Sequence, residues 1–368
     1  MTEPQVLIAG AGPTGLAAAL FLARRGVAVR IVDPLERPIT TSKALGVNPR
    51  TQALLQDTGV TAAIVAEAQA MHGLRIHRRG ELLAAVTIDW AALGADPGMV
   101  ILPQARTEAL LTEALAALGV RIERGLGVDS LSQRPEAVIV RLTDGCEVAV
   151  PVLFAADGAH SPIRKALGLD FPGDGWNEPW RLVDVDLTGP PADEGWIDLR
   201  PWGPFVCLPF SGRTFRLIGP GPDLLQHLPD GWTAGKARWT SEFHISHRMV
   251  PRMAVGRVCL GGDAAHIHSP IGARGMNLGI EDAFVFAACA ADFLDGGSGR
   301  LDDYDRLRQP VDAAVVRDVR ALTRAIRATS PISDLARRAL IPVVTRLPVL
   351  MNRVLKTGMG LDHPVRVR

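Results

Sequence analysis

The apolar positions of this chain begin as an unbroken run and only later fall into periods. Residues 5–34, "QVLIAGAGPTGLAAALFLARRGVAVRIVDP", read as strand, tight turn, helix and strand. The first strand shows no polar alternation, the pattern of a parallel strand covered on both faces. In "QARTEALLTEALAAL", residues 104–118, Leu110, Leu111, Leu115 and Leu118 fall on one helical stripe, with Glu108 and Glu113 on the far side. "EAVIVRLTDGCEVAV", residues 136–150, alternates as a hairpin turning on Asp144-Gly145. A buried strand, a turn and a short helix follow in "VPVLFAADGAHSPIRKALG".

From Trp176 to about Arg248 the texture changes. Proline and glycine are frequent, apolar runs are short, and "VCLPF" and "TFRLIG" read as strands of an antiparallel sheet. Helical periodicity returns after Gly275 and runs to the end, interrupted at Pro310, Pro331, Pro342 and Pro348. The order predicts an α/β fold in which a parallel, Rossmann-like domain is interrupted by an antiparallel β-rich insertion and closed by C-terminal helices.

Composition narrows the function classes. With 368 residues, 47% hydrophobic and 21% charged, the chain suits two domains around a shared ligand and argues against disorder. A net charge of +1 gives no electrostatic ground for nucleic acid. The arginines beyond Leu301 read as a solvated helical face. Cys146, Cys207, Cys259 and Cys289 fit no C-x-x-C spacing and read as thiols of a reducing cytoplasm. The start, "MTEPQVLIAG", enters a strand without a basic or apolar leader. No apolar run reaches about 18 residues, so no membrane span is predicted. "LIPVVTRLPVLMNRVL", residues 340–355, is amphipathic; packing on its own domain is the expectation, with contact to a membrane or a partner as the alternative.

Gly10, Gly12 and Gly15 form G-x-G-x-x-G between strand and helix. Gly10 permits the turn, Gly12 lets a pyrophosphate approach the backbone, and Gly15 allows close helix–strand packing. The helix N-terminus then offers free N–H groups to phosphates. Asp33 ends the next strand, where a carboxylate accepts ribose hydroxyls and disfavours a 2′-phosphate. These features point to NAD or FAD. Asp157-Gly158 leaves the carboxyl end of a second parallel-type strand and opens D-G-x-x-S-x-x-R with Ser161 and Arg164; the plainer reading makes Asp157 a helix cap. "VCLGGDAAHIHSPIGARGMNLGIEDA" then ends a third strand at Gly262-Asp263 and opens a helix at Gly275. Reduced flavin carries negative charge at its N(1)–C(2)=O edge, which a helix N-terminus stabilises by about 0.3–2 kcal/mol, and nicotinamide offers no such anion. FAD therefore explains two distant glycine-rich loops: phosphates on the first helix, ribityl chain on Asp263, ring on the second helix. His266 and His268 with Asp263 are too few donors for a metal site, and no metal is expected. Six of the seven tryptophans fall between Trp176 and Trp239, where sheet packing explains most and a substrate pocket the remainder.

This set of motifs, in this order, resembles the class A flavoprotein monooxygenases, whose fold is typified by p-hydroxybenzoate hydroxylase. "SKALGVNPRTQALL" and "LPQARTEALL" are most similar to the phenol and aromatic polyketide hydroxylase branch. The resemblance implies that NAD(P)H reduces FAD, that oxygen adds at C(4a), and that the hydroperoxide hydroxylates an aromatic, phenolic or polycyclic substrate. It implies FAD contacts from Lys43, where the family usually carries Arg, from Gln104 and Asn277, and from Arg50 as a further candidate. Pro270 and His268 are its flavin-face candidates; no essential acid or base is assigned. The family loop P-x-G-G-Q-G-M-N reads "PIGARGMN" here, with Ala273 and Arg274 in place of Gly and Gln. The implied domains are an FAD-binding domain over 1–70, 98–175 and 249–300, a substrate domain over 71–97 and 176–248, and a helical region over 301–368. The alternatives are a flavin-dependent reductase or dehydrogenase of the same fold without oxygen transfer, and a non-catalytic nucleotide-binding sensor.

Overall fold

The opening apolar run forms β1 (Val6–Ala9), wholly buried, and leads through the glycine turn into α1 (Pro13–Ala23) and β2 (Val29–Asp33). Helix α1 is apolar almost all round and is accordingly buried from Gly15 to Leu22. The computed structural model describes residues 3–41, 44–221, 223–271, 273–327 and 330–368. The chain continues through β3 (Gly73–Arg78), β4 (Glu81–Thr87), α2 (Gln104–Ala117), β5 (Ile122–Arg124) and β6 (Val152–Ala155). Five further strands follow: β7 (Gly173–Thr188), β8 (Glu194–Arg200), β9 (Gly203–Ser211), β10 (Thr214–Gly219) and β11 (Thr233–Met249). Then come β12 (Val258–Leu260), β13 (His266–Ile267) and the helices α3 (Gly275–Leu294), α4 (Arg300–Arg327), α5 (Pro331–Arg346) and α6 (Pro348–Met359).

Two sheets carry the architecture. The first runs β12-β6-β1-β2-β5 with all four pairings parallel, and a short antiparallel strand at Ala254–Val255 on one edge. Phe154 of β6 stacks on Phe286 of α3 at 4.0 Å between ring centroids, and Tyr304 of α4 packs edge-on against both. The second, eight-stranded sheet runs β13-β11-β7-β10-β9-β8-β3-β4; it is antiparallel except between β8 and β3. It therefore recruits the hairpin at 73–87 from far upstream. This is the expected α/β fold with a β-rich insertion and C-terminal helices.

Several local expectations need correction. Helix α2 ends at Ala117, so Leu118 lies past the stripe and is exposed, while Glu108 is buried and accepts a bond from Gln104 at 2.7 Å. Pro310 and Pro342 lie inside α4 and α5 rather than breaking them, whereas Pro331 and Pro348 open helices, where a missing N–H costs nothing. Residues 340–355 do not turn their apolar side inward: Leu340, Val343, Val349, Leu350 and Val354 are exposed, and of the large apolar side chains only Met351 and Leu355 are buried.

Candidate functional site

Four neighbouring strands of the parallel sheet release their motifs at one edge. In spatial order β12 delivers Gly262-Asp263, β6 delivers Asp157-Gly158, β1 delivers Gly10 and β2 ends on Asp33. Backbone bonds extend the ladder past the strand ends: Gly10 N–H to Val32 O at 2.8 Å, Ala156 N–H to Ala9 O at 2.8 Å, and Gly261 N–H to Ala155 O at 3.0 Å. The carboxyl edge of a parallel sheet is where such folds bind ligands.

The three glycines of the first turn stand in three different surroundings. Gly10 has φ +102°, and a Cβ there would stand 2.2 Å from Ala156 O. A Cβ on Gly15 would lie 1.9 Å from Gly10 O, so helix and turn touch through backbone. Gly12, in contrast, faces open space, with nothing within 4 Å of a built Cβ. Backbone at the start of α1 is therefore open to close approach by a group such as a pyrophosphate. Asp33 is buried; its Oδ2 accepts Ala11 N–H at 2.7 Å and its Oδ1 accepts Leu35 N–H at 2.9 Å, with Arg124 at 3.3 Å. Arg124 escaped the sequence reading because nothing in one strand tells which side chain of a neighbouring strand will face it.

Asp157 supports the short helix at Pro162–Ala166 but does not cap it; the cap is Ser161, whose Oγ accepts Arg164 N–H at 2.9 Å. Asp157 Oδ2 accepts Ile163 N–H at 3.2 Å, whereas Oδ1 is buried with no partner, and burial pushes the carboxyl up. Arg164 joins the second and third motifs. It donates to Ala264 O and Ala159 O, both at 2.9 Å, and lies over the Phe171 ring.

Gly262 (φ +58°) and Asp263 stand in one helical turn, with Asp263 exposed. A Cβ on Gly262 would meet Thr14 Oγ1 at 2.4 Å, and one on Gly279 of α3 would meet the same atom at 2.2 Å. The two glycine-rich loops thus lie against each other through Thr14. Behind Gly262 sits a buried charge network that spacing alone did not reveal. Asp282 Oδ2 accepts Gly262 N–H at 3.0 Å and lies 2.7 Å from His266 Nε2; Oδ1 accepts Arg308 Nε at 2.8 Å. Arg308 also donates to Asp312 at 2.6 Å and Glu281 at 3.3 Å, and is 1% exposed. Burial opposes charge on Asp282, but His266 and Arg308 outweigh it and hold the carboxyl low; burial drives Asp312 well above the ordinary carboxylate range. The two carboxyls are thus pushed in opposite directions. His266, Asp282 and Asp312 have metal-ligand chemistry, yet the cation seated among the acids is the Arg308 guanidinium. The sequence signal for Arg308 was its i, i+4 place between Tyr304 and Asp312; it is a core side chain, not part of a solvated face.

At the start of α3, Ala273 holds the left-handed conformation, φ +52°, that the family's glycine adopts freely. Arg274 is buried: it donates to Thr357 O at 2.8 Å and lies against Gly360, where a Cβ would be 3.0 Å from its Cζ. Asn277 is committed to backbone, accepting Asn48 N–H at 3.0 Å and donating to Gly46 O at 2.9 Å and Ala273 O at 2.6 Å. Arg50 donates to Gly360 O at 3.2 and 3.1 Å and to His363 O, so both residues position segments around the site. Gln104 spends its amide on Glu108. Lys43 lies outside the described residues. Pro270 O accepts Ala273 N–H at 3.0 Å. His268 donates from Nδ1 to Ser269 O at 2.9 Å, leaving Nε2 buried without a partner; burial lowers its pKa to about 3.

Beyond this loop lies one face of the eight-stranded sheet. Ile271 packs with Trp180, Leu182, Trp239 and Phe243. Farther along the same face Asp184 forms a buried two-pronged pair with Arg216 at 2.6 and 2.7 Å, the guanidinium lying by Phe210 and Trp239. A cavity of about 720 Å³ opens there between Asp184, Asp186, Phe210, Thr214 and Arg238.

With this geometry in place, comparison with known proteins is specific. The family described as an FAD binding domain matches residues 3–209 and 223–319. The chain is 34% identical to 6-methylpretetramide 4-monooxygenase of Streptomyces rimosus, over 95% of this chain and 67% of that one. It superposes on the anhydrotetracycline hydroxylase OxyS from Streptomyces rimosus with a TM-score of 0.81 and 30% identity, covering 98% of this chain and 77% of the other. The p-nitrophenol 4-monooxygenase from Pseudomonas putida shares the fold at a TM-score of 0.88 and 23% identity, covering 98% and 99%. The chain belongs to the FAD-binding family of class A flavoprotein monooxygenases. It is an FAD-dependent monooxygenase, and the reductase and sensor alternatives fit less well.

Two predictions follow from the buried groups. Arg308→Met is expected to cost about 3–5 kcal/mol in urea unfolding, because it strands the acids around it, whereas Asp312→Asn replaces a carboxyl that burial already pushes toward its neutral form and costs under about 1 kcal/mol. Equal losses would contradict the assigned charges. Folded His268 stays neutral well below the ordinary pKa of 6.5, so its contribution to stability is present above that pH and is lost as pH falls toward 3. Between pH 6.5 and 4.5 the wild type should lose about 2 kcal/mol more than His268→Gln. Parallel pH profiles would show that His268 is not the buried neutral base described.

Proposed function

We propose that one FAD lies extended along the carboxyl edge of the parallel sheet and that NAD(P)H reduces it. The substrate is an aromatic, phenolic or polycyclic molecule. Diphosphate rests on the N-terminus of α1 beside Gly10 and Gly12, with the adenosine ribose on Asp33. Asp157 and Asp263 take the middle of the cofactor, and the ring lies toward Gly275 at the head of α3. The observation that carries this reading is the meeting of both glycine-rich loops at Thr14, with an open cradle at Gly12 and unpartnered buried acceptors on Asp157 and His268. Lys43 and Gln104 are kept as further FAD contacts; Asn277 and Arg50 act by fixing backbone.

When bound, FAD supplies reductive activation of oxygen and transfer of one oxygen atom. The chain supplies the surroundings. The N–H groups that open α3 favour negative charge on whatever faces them. His268 presents a neutral Nε2 hydrogen-bond acceptor near that helix start, and Pro270 brings backbone to the same loop. Ile271, Trp180, Trp239 and Phe243 form an apolar wall that excludes water beside that loop. The relatives that support this substrate class act, by name, on 6-methylpretetramide and on anhydrotetracycline. Free thiols at Cys207, Cys259 and Cys289, all buried, and at exposed Cys146 support a reducing, cytoplasmic setting.

The test is an NAD(P)H oxidation screen over phenols, quinones and polycyclic polyketide-like aromatics with product mass recorded. A product heavier by one oxygen atom, formed in step with NAD(P)H consumption, is expected. Consumption with no oxygen incorporated into any substrate of this class would reject the proposal.

A further inference from the structure

Helix α5 is turned inside out. Its polar side faces the protein: Asp334 pairs with Arg78 at 2.7 Å and with Arg79, and Arg337, partly buried, donates to Ala325 O. Its apolar side faces outward, with Ile332, Leu335, Leu340 and Val343 exposed and Ile332 at 82%. Leu347 before helix α6, and Val349, Leu350 and Val354 within it, are exposed as well, Val349 also at 82%. A hairpin that presents this much aliphatic surface forgoes hydrophobic stabilisation unless something covers it, and contiguous exposed patches of this kind mark interaction sites.

Charge decides what covers it. Residues 331–359 carry Arg337, Arg338, Arg346, Arg353 and Lys356 against Asp334 alone, and Asp334 is already paired. Arg338, Arg346, Arg353 and Lys356 are exposed. A two-fold contact between copies would set these cations against one another, since such an interface is self-complementary by construction. A surface that is both apolar beneath and negatively charged above matches the hairpin in both respects.

We propose that the α5–α6 hairpin docks in the plane of an anionic lipid bilayer, its aliphatic face at the headgroup–acyl boundary and its basic side chains on lipid phosphates. No described helix is long and apolar enough to cross a membrane, so the contact is peripheral and reversible. The docking does not depend on the oxygen chemistry proposed above.

Co-sedimentation of the FAD-loaded protein with vesicles tests this. Mixed phosphatidylglycerol–phosphatidylcholine vesicles are expected to bind the protein at least about tenfold more tightly than phosphatidylcholine alone, with the difference abolished by high salt. Ile332→Asp with Val349→Asp, and separately Arg346→Glu with Arg353→Glu, should each reduce binding by about tenfold or more. The flavin absorbance spectrum and thermal midpoint should stay at wild-type values, since all four side chains are exposed. The proposal is overturned if neither vesicle binds, or if both bind equally. It is equally overturned if the apolar substitutions abolish only a concentration-dependent self-association in sedimentation velocity, which would assign the face to a second copy, or only capture of an acidic protein.

Discussion

Everything at the candidate site depends on how closely α1 and α3 approach across the sheet edge. Thr14 lies between Gly262 and Gly279, and a Cβ at either glycine would stand within 2.4 Å of its hydroxyl oxygen. Only glycine permits that approach. Its effect is to bring the start of a helix formed near residue 13 and a loop formed near residue 262 to one edge, where a single long ligand can span both. The turn conformations at Gly10 and Gly262 serve the same end, because each lets a strand finish abruptly and turn its next residues away from the line of the sheet.

A second constraint holds that geometry in place. Gly262 donates its N–H to a buried carboxylate that also engages His266 and Arg308, and Arg308 reaches Glu281, which is bonded in turn to His363 at 2.9 Å. Charge-assisted bonds are directional, so the network specifies where the loop sits as well as stabilising it. Arg274 and Arg50 add bonds to the carbonyls of Thr357, Gly360 and His363, closing the C-terminal segment over the head of α3. The replacement of the family's usual Gly-Gln by Ala273-Arg274 is therefore tied to this segment: the guanidinium stands under it.

The parts of the fold legible in the sequence were those governed by local rules. Uniform apolar runs marked the parallel strands, Asp144-Gly145 marked a hairpin turn with Gly145 at φ +86°, and the glycine spacing marked the start of α1. Long strands β7 and β11 were less legible, because bulges and register shifts break their alternation and tryptophans occur on a half-covered sheet. Recruitment of residues 73–87 into the second sheet left no local trace and was legible only through the family resemblance, which grouped 71–97 with 176–248. At the site, residues whose role rests on a turn or helix start were legible, whereas Arg124, Asp282, Arg308 and Arg216 acquire their roles only from partners brought near by the tertiary fold. Helix α5 shows the limit most plainly: an amphipathic pattern says which face is apolar, not which face turns inward.

The central claim is that one FAD occupies both loops at once, and a crystal structure of the protein with FAD tests it most directly. The account predicts continuous density for a single extended cofactor, diphosphate against Gly12 at the start of α1 and the flavin ring toward Gly275 at the start of α3. An FAD whose diphosphate or ring binds elsewhere, leaving either loop without contact, would contradict it.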